Sequence, residues 1–582
     1  MLKRILSEVK EYKFPSIMTP ICMILEVLFE TLIPFLMASI IDGGIEKGDM
    51  HHVIIVGLMM VGVAVLSLLT GIGGGAFGSK ASAGFAKNLR ESMYNNIQTF
   101  SFKNIDKFST AGLVTRLTTD VNNVQMAYQM CLRMAMRAPF SMICALIMAF
   151  YINARISSIY LIAVVLLAIV LSFIIKRATK TFKEAFPKYD ALNESVQENV
   201  SAIRVVKAYV REEREISKFK TASQNIYEIF KKAEYNVIIN GPVMQFTVYS
   251  CMILISWIGA KMIVADSLTT GELTSLLAYC MNILMSLMML SFVFVMITMS
   301  SASVERIYEV LTETPDITNP ENPINEVKDG SIVFDHVNFA YNEESSEYVL
   351  KDINLEIKSG ETIGIMGGTG SAKTSLVNLI SRLYDVSEGE VRVGGEDVRK
   401  YDLETLRNNV SVVLQKNVLF TGTILDNLRW GNKDATKEQC IEACKLACAD
   451  DFINSFPEGY ETEISQGGTN VSGGQKQRLC IARALLKQPK VLILDDSTSA
   501  VDTATDARIR KAFKEYIPSV TKLIISQRVS SIMDADRIIV MEEGKVAGFG
   551  THEELMATND IYKEIYETQT SGGGDFDEKE EI

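Results

Sequence analysis

Histidine is scarce in this chain: four in 582 residues, at His51, His52, His336 and His552, and none in the long stretch between the last two. The nine cysteines are scattered and form no CxxC pair, which excludes a disulfide framework or a zinc ribbon. Cys440, Cys444 and Cys448 recur at helical spacing and read as small apolar residues on a buried face rather than as ligands. Excess positive charge is also missing. The formal net charge is −12, which argues against nucleic acid as a partner. A cleavable leader is not expected, since the first apolar run, Pro15 to Ile41, is too long for one and no small-residue cleavage pattern follows.

What is abundant is apolar sequence. Hydrophobic residues make up 48% of the chain and mean hydropathy is positive, beside 22% charged residues. A membrane half joined to a soluble half fits that mixture better than one uniform fold. Six segments are long enough to cross a bilayer, which takes about 20 mostly apolar residues. They lie near 15–41, 53–78, 130–152, 156–175, 236–263 and 273–299. Lys3, Arg4, Lys10 and Lys13 precede the first and predict a cytoplasmic N-terminus. Polar stretches such as SKASAGFAKNLRESMYNNIQTF carry helical periodicity with no proline and a single glycine, Gly84, so the spans are expected to continue far into the cytoplasm. Pro315, Pro320 and Pro323 mark a linker. The division expected is 1–310 membrane domain, 311–330 linker, 331–570 α/β domain and 571–582 disordered acidic tail.

The second half carries the chemistry. GGTGSAKT follows the apolar run ETIGIM and matches the phosphate-loop pattern G-x-x-x-x-G-K-[ST] except at Ala372. In such a loop, backbone N–H groups and a helix N-terminus face phosphate oxygens. The residues concerned are Gly367, Gly368, Thr369, Gly370, Ser371, Ala372, Lys373, Thr374 and Ser375. Lys373 would reach the β/γ-phosphates and Thr374 would offer its hydroxyl to magnesium. Ala372 is tolerable if its φ is near the helical value and strained if φ is positive. Farther on, VSGGQ precedes a helix, and the strand VLILD ends in Asp495 and Asp496.

Together these segments resemble the Walker A loop, signature motif and Walker B strand of an ABC-type ATPase. With six spans before them, the chain resembles an ABC exporter half-transporter of the multidrug-resistance type. The resemblance implies a six-helix all-α transmembrane domain followed by an α/β P-loop ATPase domain, with ATP and Mg2+ as cofactors. It also implies a multi-pass place in the cell membrane, with the nucleotide-binding domain cytoplasmic. Asp495 would hold magnesium, with Thr374 and Gln415. Gln415 matches the glutamine that senses the γ-phosphate, and Tyr341 the aromatic that stacks on adenine. STAGLVTRLTTDVNNV and ENVSAIRVVKAYVREERE look like the intracellular loops that dock short coupling helices.

Beyond Ala372, two positions depart from the family pattern. Asp496 stands where the catalytic glutamate belongs, one methylene shorter, and a misplacement of about 1 Å can cost on the order of 100-fold in rate. Gln527 stands where the switch histidine belongs; it can hydrogen-bond but cannot titrate. The signature residues Ser472, Gly473, Gly474 and Gln475 are intact. In this family, each signature completes the site of the opposite subunit. The expectation is therefore a degenerate-site subunit that pairs with a second, non-identical half-transporter and moves amphipathic small molecules out through the membrane lipid by alternating access. A peptide or lipid exporter of the same architecture, or an ATP-gated channel-like protein, stays open beside it.

Cargo is less legible. Glu26 and Glu30 lie one helical turn apart in the first span, where a carboxylate normally faces a bundle interior or a water-filled cavity. Two readings stand: a site attracting cationic amphipaths, or a structural pair bonded to Arg133, Arg137 or the backbone. The sixth span carries Met281, Met285, Met288, Met289, Met296 and Met299, which suit either promiscuous binding or packing.

Overall fold

The computed structural model describes residues 1–342, 347–496 and 500–571; the acidic tail beyond residue 571 lies outside them. The chain divides into two units. One comprises Met1–Thr99 with Phe108–Glu313, the other Phe100–Lys107 with Thr314–Ile582.

The first unit is all helix. Among the described residues, six helices are long and apolar enough to cross a membrane: Leu2–Ile45, Met50–Thr99, Thr110–Ile152, Ala154–Ile174, Gly241–Val264 and Thr270–Thr312. Polar caps fix where some of them begin. The Asn153 side chain accepts from the N–H groups of Arg155 and Ile156 at the start of the fourth. Thr269 and Glu272 form a reciprocal cap at the start of the sixth. The 50 residues of Met50–Thr99 rise about 75 Å, far more than a hydrocarbon core of about 30 Å, so polar sequence continues the apolar span as one helix.

The sixth helix packs through Leu276, Tyr279, Cys280, Ile283, Leu284 and Leu287, all buried at i, i+3, i+4 spacing. Tyr279 donates its hydroxyl to the Thr31 carbonyl at 2.8 Å, so a polar tip inside the bundle has a partner. Asp42, near the end of the first of these helices, accepts from the Thr269 hydroxyl at 2.6 Å and from Gly271 N–H at 2.7 Å. Met281, Met285, Met288 and Met299 lie off the buried stripe and are exposed.

The second unit is α/β. An antiparallel sheet orders its strands Leu350–Ile357, Ile332–Phe339, Glu388–Val393, Glu396–Asp397. A six-stranded sheet orders Lys545–Gly550, Arg537–Glu542, Thr362–Gly367, Thr521–Ile525, Val491–Asp495, Val410–Val413. Its inner pairs are parallel, and Val491–Asp495 is buried at all five positions, as a strand covered on both faces must be.

Residues 100–107 belong to this unit although long helices flank them in the chain. Tyr384 donates its hydroxyl to Asp106 at 2.8 Å, Asn104 donates to the Thr314 carbonyl at 3.3 Å, and Ser101 bonds the Asp316 carboxylate. The sequence expectation named STAGLVTRLTTDVNNV and ENVSAIRVVKAYVREERE as the loops that dock short helices, and residues 100–107 lie just before the first of these. The short helix Phe102–Phe108 directly precedes that stretch. The Asn104 amide and the rings of Phe102 and Tyr384, 6.1 Å apart, hold it, and no Gly or Pro announces it.

Candidate nucleotide-binding site

Strand register places the site. Ile525 lies opposite Ile365 on one side and Asp495 on the other, so Gly367, Asp495–Asp496 and Ser526–Gln527 come together past the carboxyl edge of the sheet. A cavity of about 560 Å³ opens there. Residues 367–375 line it together with Gln415, Asp495, Asp496 and Gln527.

The loop fits only particular residues. Gly367 has φ 151°, and a Cβ there would come within 2.2 Å of the Met541 carbonyl oxygen. Ala372 turns the chain into the helix Lys373–Ile380 at φ 72°, ψ 23°. Of the two outcomes the sequence left open for Ala372, the strained one holds. A left-handed non-glycine residue costs roughly 1–2 kcal/mol. The Lys373 ammonium donates to the carbonyls of Gly367 at 2.9 Å and Gly368 at 2.8 Å. Burial pulls its pKa down, opposed by Asp495 and Asp496.

The two acids face the same loop. Thr374 donates its hydroxyl to Asp495 at 3.1 Å. Burial pushes the Asp495 carboxyl above its ordinary pKa, and the bond from Thr374 opposes it. Burial raises Asp496 too, opposed by a hydrogen bond from Gln415 and by Lys373 and Arg528. Asp496 sits at φ 47°, a region that a short acidic side chain enters more readily than most residues. The Thr374 hydroxyl, the Gln415 amide oxygen and these carboxylates are the hard oxygen donors magnesium prefers. Two carboxyls strained toward protonation are also the groups a cation would relieve. Among the described residues no cluster of three or more His, Cys, Asp or Glu forms a metal cage.

Two expected groups lie outside the cavity lining. Tyr341 is 41% exposed; its hydroxyl is 2.8 Å from that of Ser375, and its ring packs against Phe339 and Tyr384. Ser472 caps the helix Gly473–Leu485 by accepting from the Gln475 N–H at 3.3 Å, and Gln475 accepts from the Ser472 N–H at 2.9 Å. A Cβ on Gly474 would meet the Ala500 carbonyl oxygen at 2.8 Å.

Three residues escaped sequence reasoning. Gln477, 3% exposed, donates to the Asp496 carbonyl at 3.3 Å and accepts from the Ala500 N–H at 3.1 Å, tying the signature helix to the residue that follows the Walker B strand. Its only signal is its place two residues past VSGGQ. Ile565 and Gln569 reach the cavity from the helix Asp560–Ser571. No motif marks them; the sole hint is the apolar spacing of that helix.

Two family models match the chain: the ABC transporter transmembrane region over residues 16–301, and the ABC transporter model over residues 350–499. It is 35% identical over 568 residues to the uncharacterized ABC transporter ATP-binding protein YfiB of Bacillus subtilis, covering 98% of each chain. An uncharacterized ABC transporter ATP-binding protein of Mycobacterium tuberculosis is 33% identical over 575 residues, again covering 98% of each. The probable multidrug resistance ABC transporter ATP-binding/permease protein YheI of Bacillus subtilis is 33% identical over 484 residues, covering 83% of each. Six membrane-length helices, a phosphate loop beside paired acids and these matches agree: the chain belongs to the ABC transporter family, as an exporter half-transporter whose ATPase domain drives transport across the membrane.

Proposed function

We propose that this chain is one subunit of a heterodimeric exporter in the cell membrane, with its ATPase domain cytoplasmic. It binds Mg2+-ATP at its own weakened site and completes its partner's site with Ser472, Gly473 and Gly474. The observation that carries the reading is the placement of Gln527. It lines the cavity with Asp496, while none of the chain's four histidines does. Lys373 and the loop N–H groups bind phosphate, and Thr374, Asp495 and Gln415 hold the magnesium, which neutralises phosphate charge. Asp496 is left to orient water with a carboxylate one methylene short, and Gln527 to hold the γ-phosphate without carrying charge. Hydrolysis at this site is therefore slow, and the intact signature serves the opposite, faster one. The cargo we assign is an amphipathic drug-like compound, as the name of the YheI relative suggests.

The test is co-purification and turnover. This chain should copurify with a second half-transporter that carries glutamate and histidine at the corresponding positions. Alone, it should bind ATP and hydrolyse little. Brisk hydrolysis by the chain as a homodimer would refute the pairing.

A further inference from the structure

The switch segment around Gln527 is held from outside the motif. Gln569 donates its side-chain N–H to the Gln527 carbonyl at 2.8 Å and accepts from the Val529 N–H at 2.9 Å. One primary amide thus satisfies a donor and an acceptor two residues apart, as a neighbouring strand would. The helix carrying it is well anchored. Tyr562 is fully buried, its hydroxyl 2.7 Å from the His552 ring nitrogen, and Gln569 lies two turns further on. Ile565, one turn before Gln569, lines the nucleotide cavity with it. A second hollow of about 520 Å³ lies between this helix and loop residues 368–371. The C-terminal helix therefore flanks both the phosphate loop and the switch.

We infer that Gln569 is a positioning residue for nucleotide at this chain's own site. Resting on the nucleotide-binding reading above, the inference adds that the amide fixes the backbone on both sides of Arg528, so that the Gln527 side chain is held toward the cavity. The C-terminal helix becomes a working part of the ATP site rather than an appendage. Both hydrogen bonds of the Gln569 amide go to the switch backbone, so it acts through Gln527.

The test uses full-length chain in lipid nanodiscs, labelled with photoreactive 8-azido-ATP, with label read on this polypeptide and competed by ATP. Gln569→Met keeps length and volume but removes both hydrogen bonds. Its competition midpoint should rise about three- to tenfold, the size expected for losing modest hydrogen bonds. The thermal midpoint without nucleotide should barely move, since the side chain is exposed. In a Gln527→Ala background, Gln569→Met should add nothing, because the side chain it positions is gone. An equal loss in both backgrounds, or an unchanged midpoint, overturns the inference. A wild-type chain that takes no label refutes the nucleotide reading itself, and the inference with it.

Discussion

Arg137 holds Glu26 and Glu30 at once, its two terminal nitrogens 2.9 Å and 2.8 Å from one carboxylate each. The two carboxylates differ in access: the Glu26 side chain is 15% exposed, that of Glu30 43%. A pair in a membrane domain has two uses, and exposure separates them. Glu26→Gln should lower thermal stability and reduce efflux of cationic and neutral compounds alike. Glu30→Gln should cost little stability yet lower cationic efflux about two- to fivefold, an electrostatic effect under 1 kcal/mol. Paired dye-efflux and unfolding assays decide it. Equal behaviour of the two variants would show that neither carboxylate meets cargo.

Ala372 offers a gain of function. Glycine removes the left-handed penalty but makes the unfolded chain more flexible, leaving a net benefit of about 0.5–1 kcal/mol. Ala372→Gly should raise the unfolding midpoint slightly and tighten ATP binding on this polypeptide. A lowered midpoint would mean the loop does not keep this backbone.

Asp495 and Asp496 make the ligand-free chain less stable at neutral pH than it could be. Their folded pKa values are raised from 3.8, so the folded state holds protons more tightly than the unfolded one. Stability from these groups is then greatest at low pH and is lost as pH rises through the raised values. Asp495→Asn should therefore raise the melting temperature at pH 7.5, with a gain that shrinks toward pH 4. With Mg2+-ATP present the order should reverse, because the variant binds it poorly. Unfolding scans across pH, with and without nucleotide, measure both.

Ser472→Ala and Lys373→Ala should affect different sites. Losing the Ser472 cap costs about 1 kcal/mol locally. Its larger effect should be on turnover of the complex, down about a hundredfold if the hydroxyl meets phosphate at the partner's site. ATP labelling of this polypeptide should persist. Lys373→Ala should do the opposite, abolishing that labelling while leaving turnover. Loss of all turnover in Lys373→Ala would show that the two sites cannot be ranked.

The parts readable from sequence were those whose chemistry demands fixed spacing. A phosphate loop needs its glycines and lysine in one run, and a buried parallel strand needs an unbroken apolar stretch, so Gly367–Thr374 and Val491–Asp495 stood out. Gln569 did not, because one amide bonding a distant backbone leaves no pattern in its own neighbourhood. Ala372 was half legible: the sequence named the residue, and only the backbone could supply its φ. Arg137 was one of three partners open to Glu26 and Glu30, and packing chose it.

The placement of residues 100–107 within the second unit bears on how this protein could be dissected. A fragment begun at the linker would carry Tyr384, Asp316 and the Thr314 carbonyl without Asp106, Ser101 and Asn104, baring a seat that the intact polypeptide fills. Modularity here is not linear. An excised ATPase piece is missing eight of its own residues, and restoring them as a free peptide or a grafted linker would be the way to make it whole.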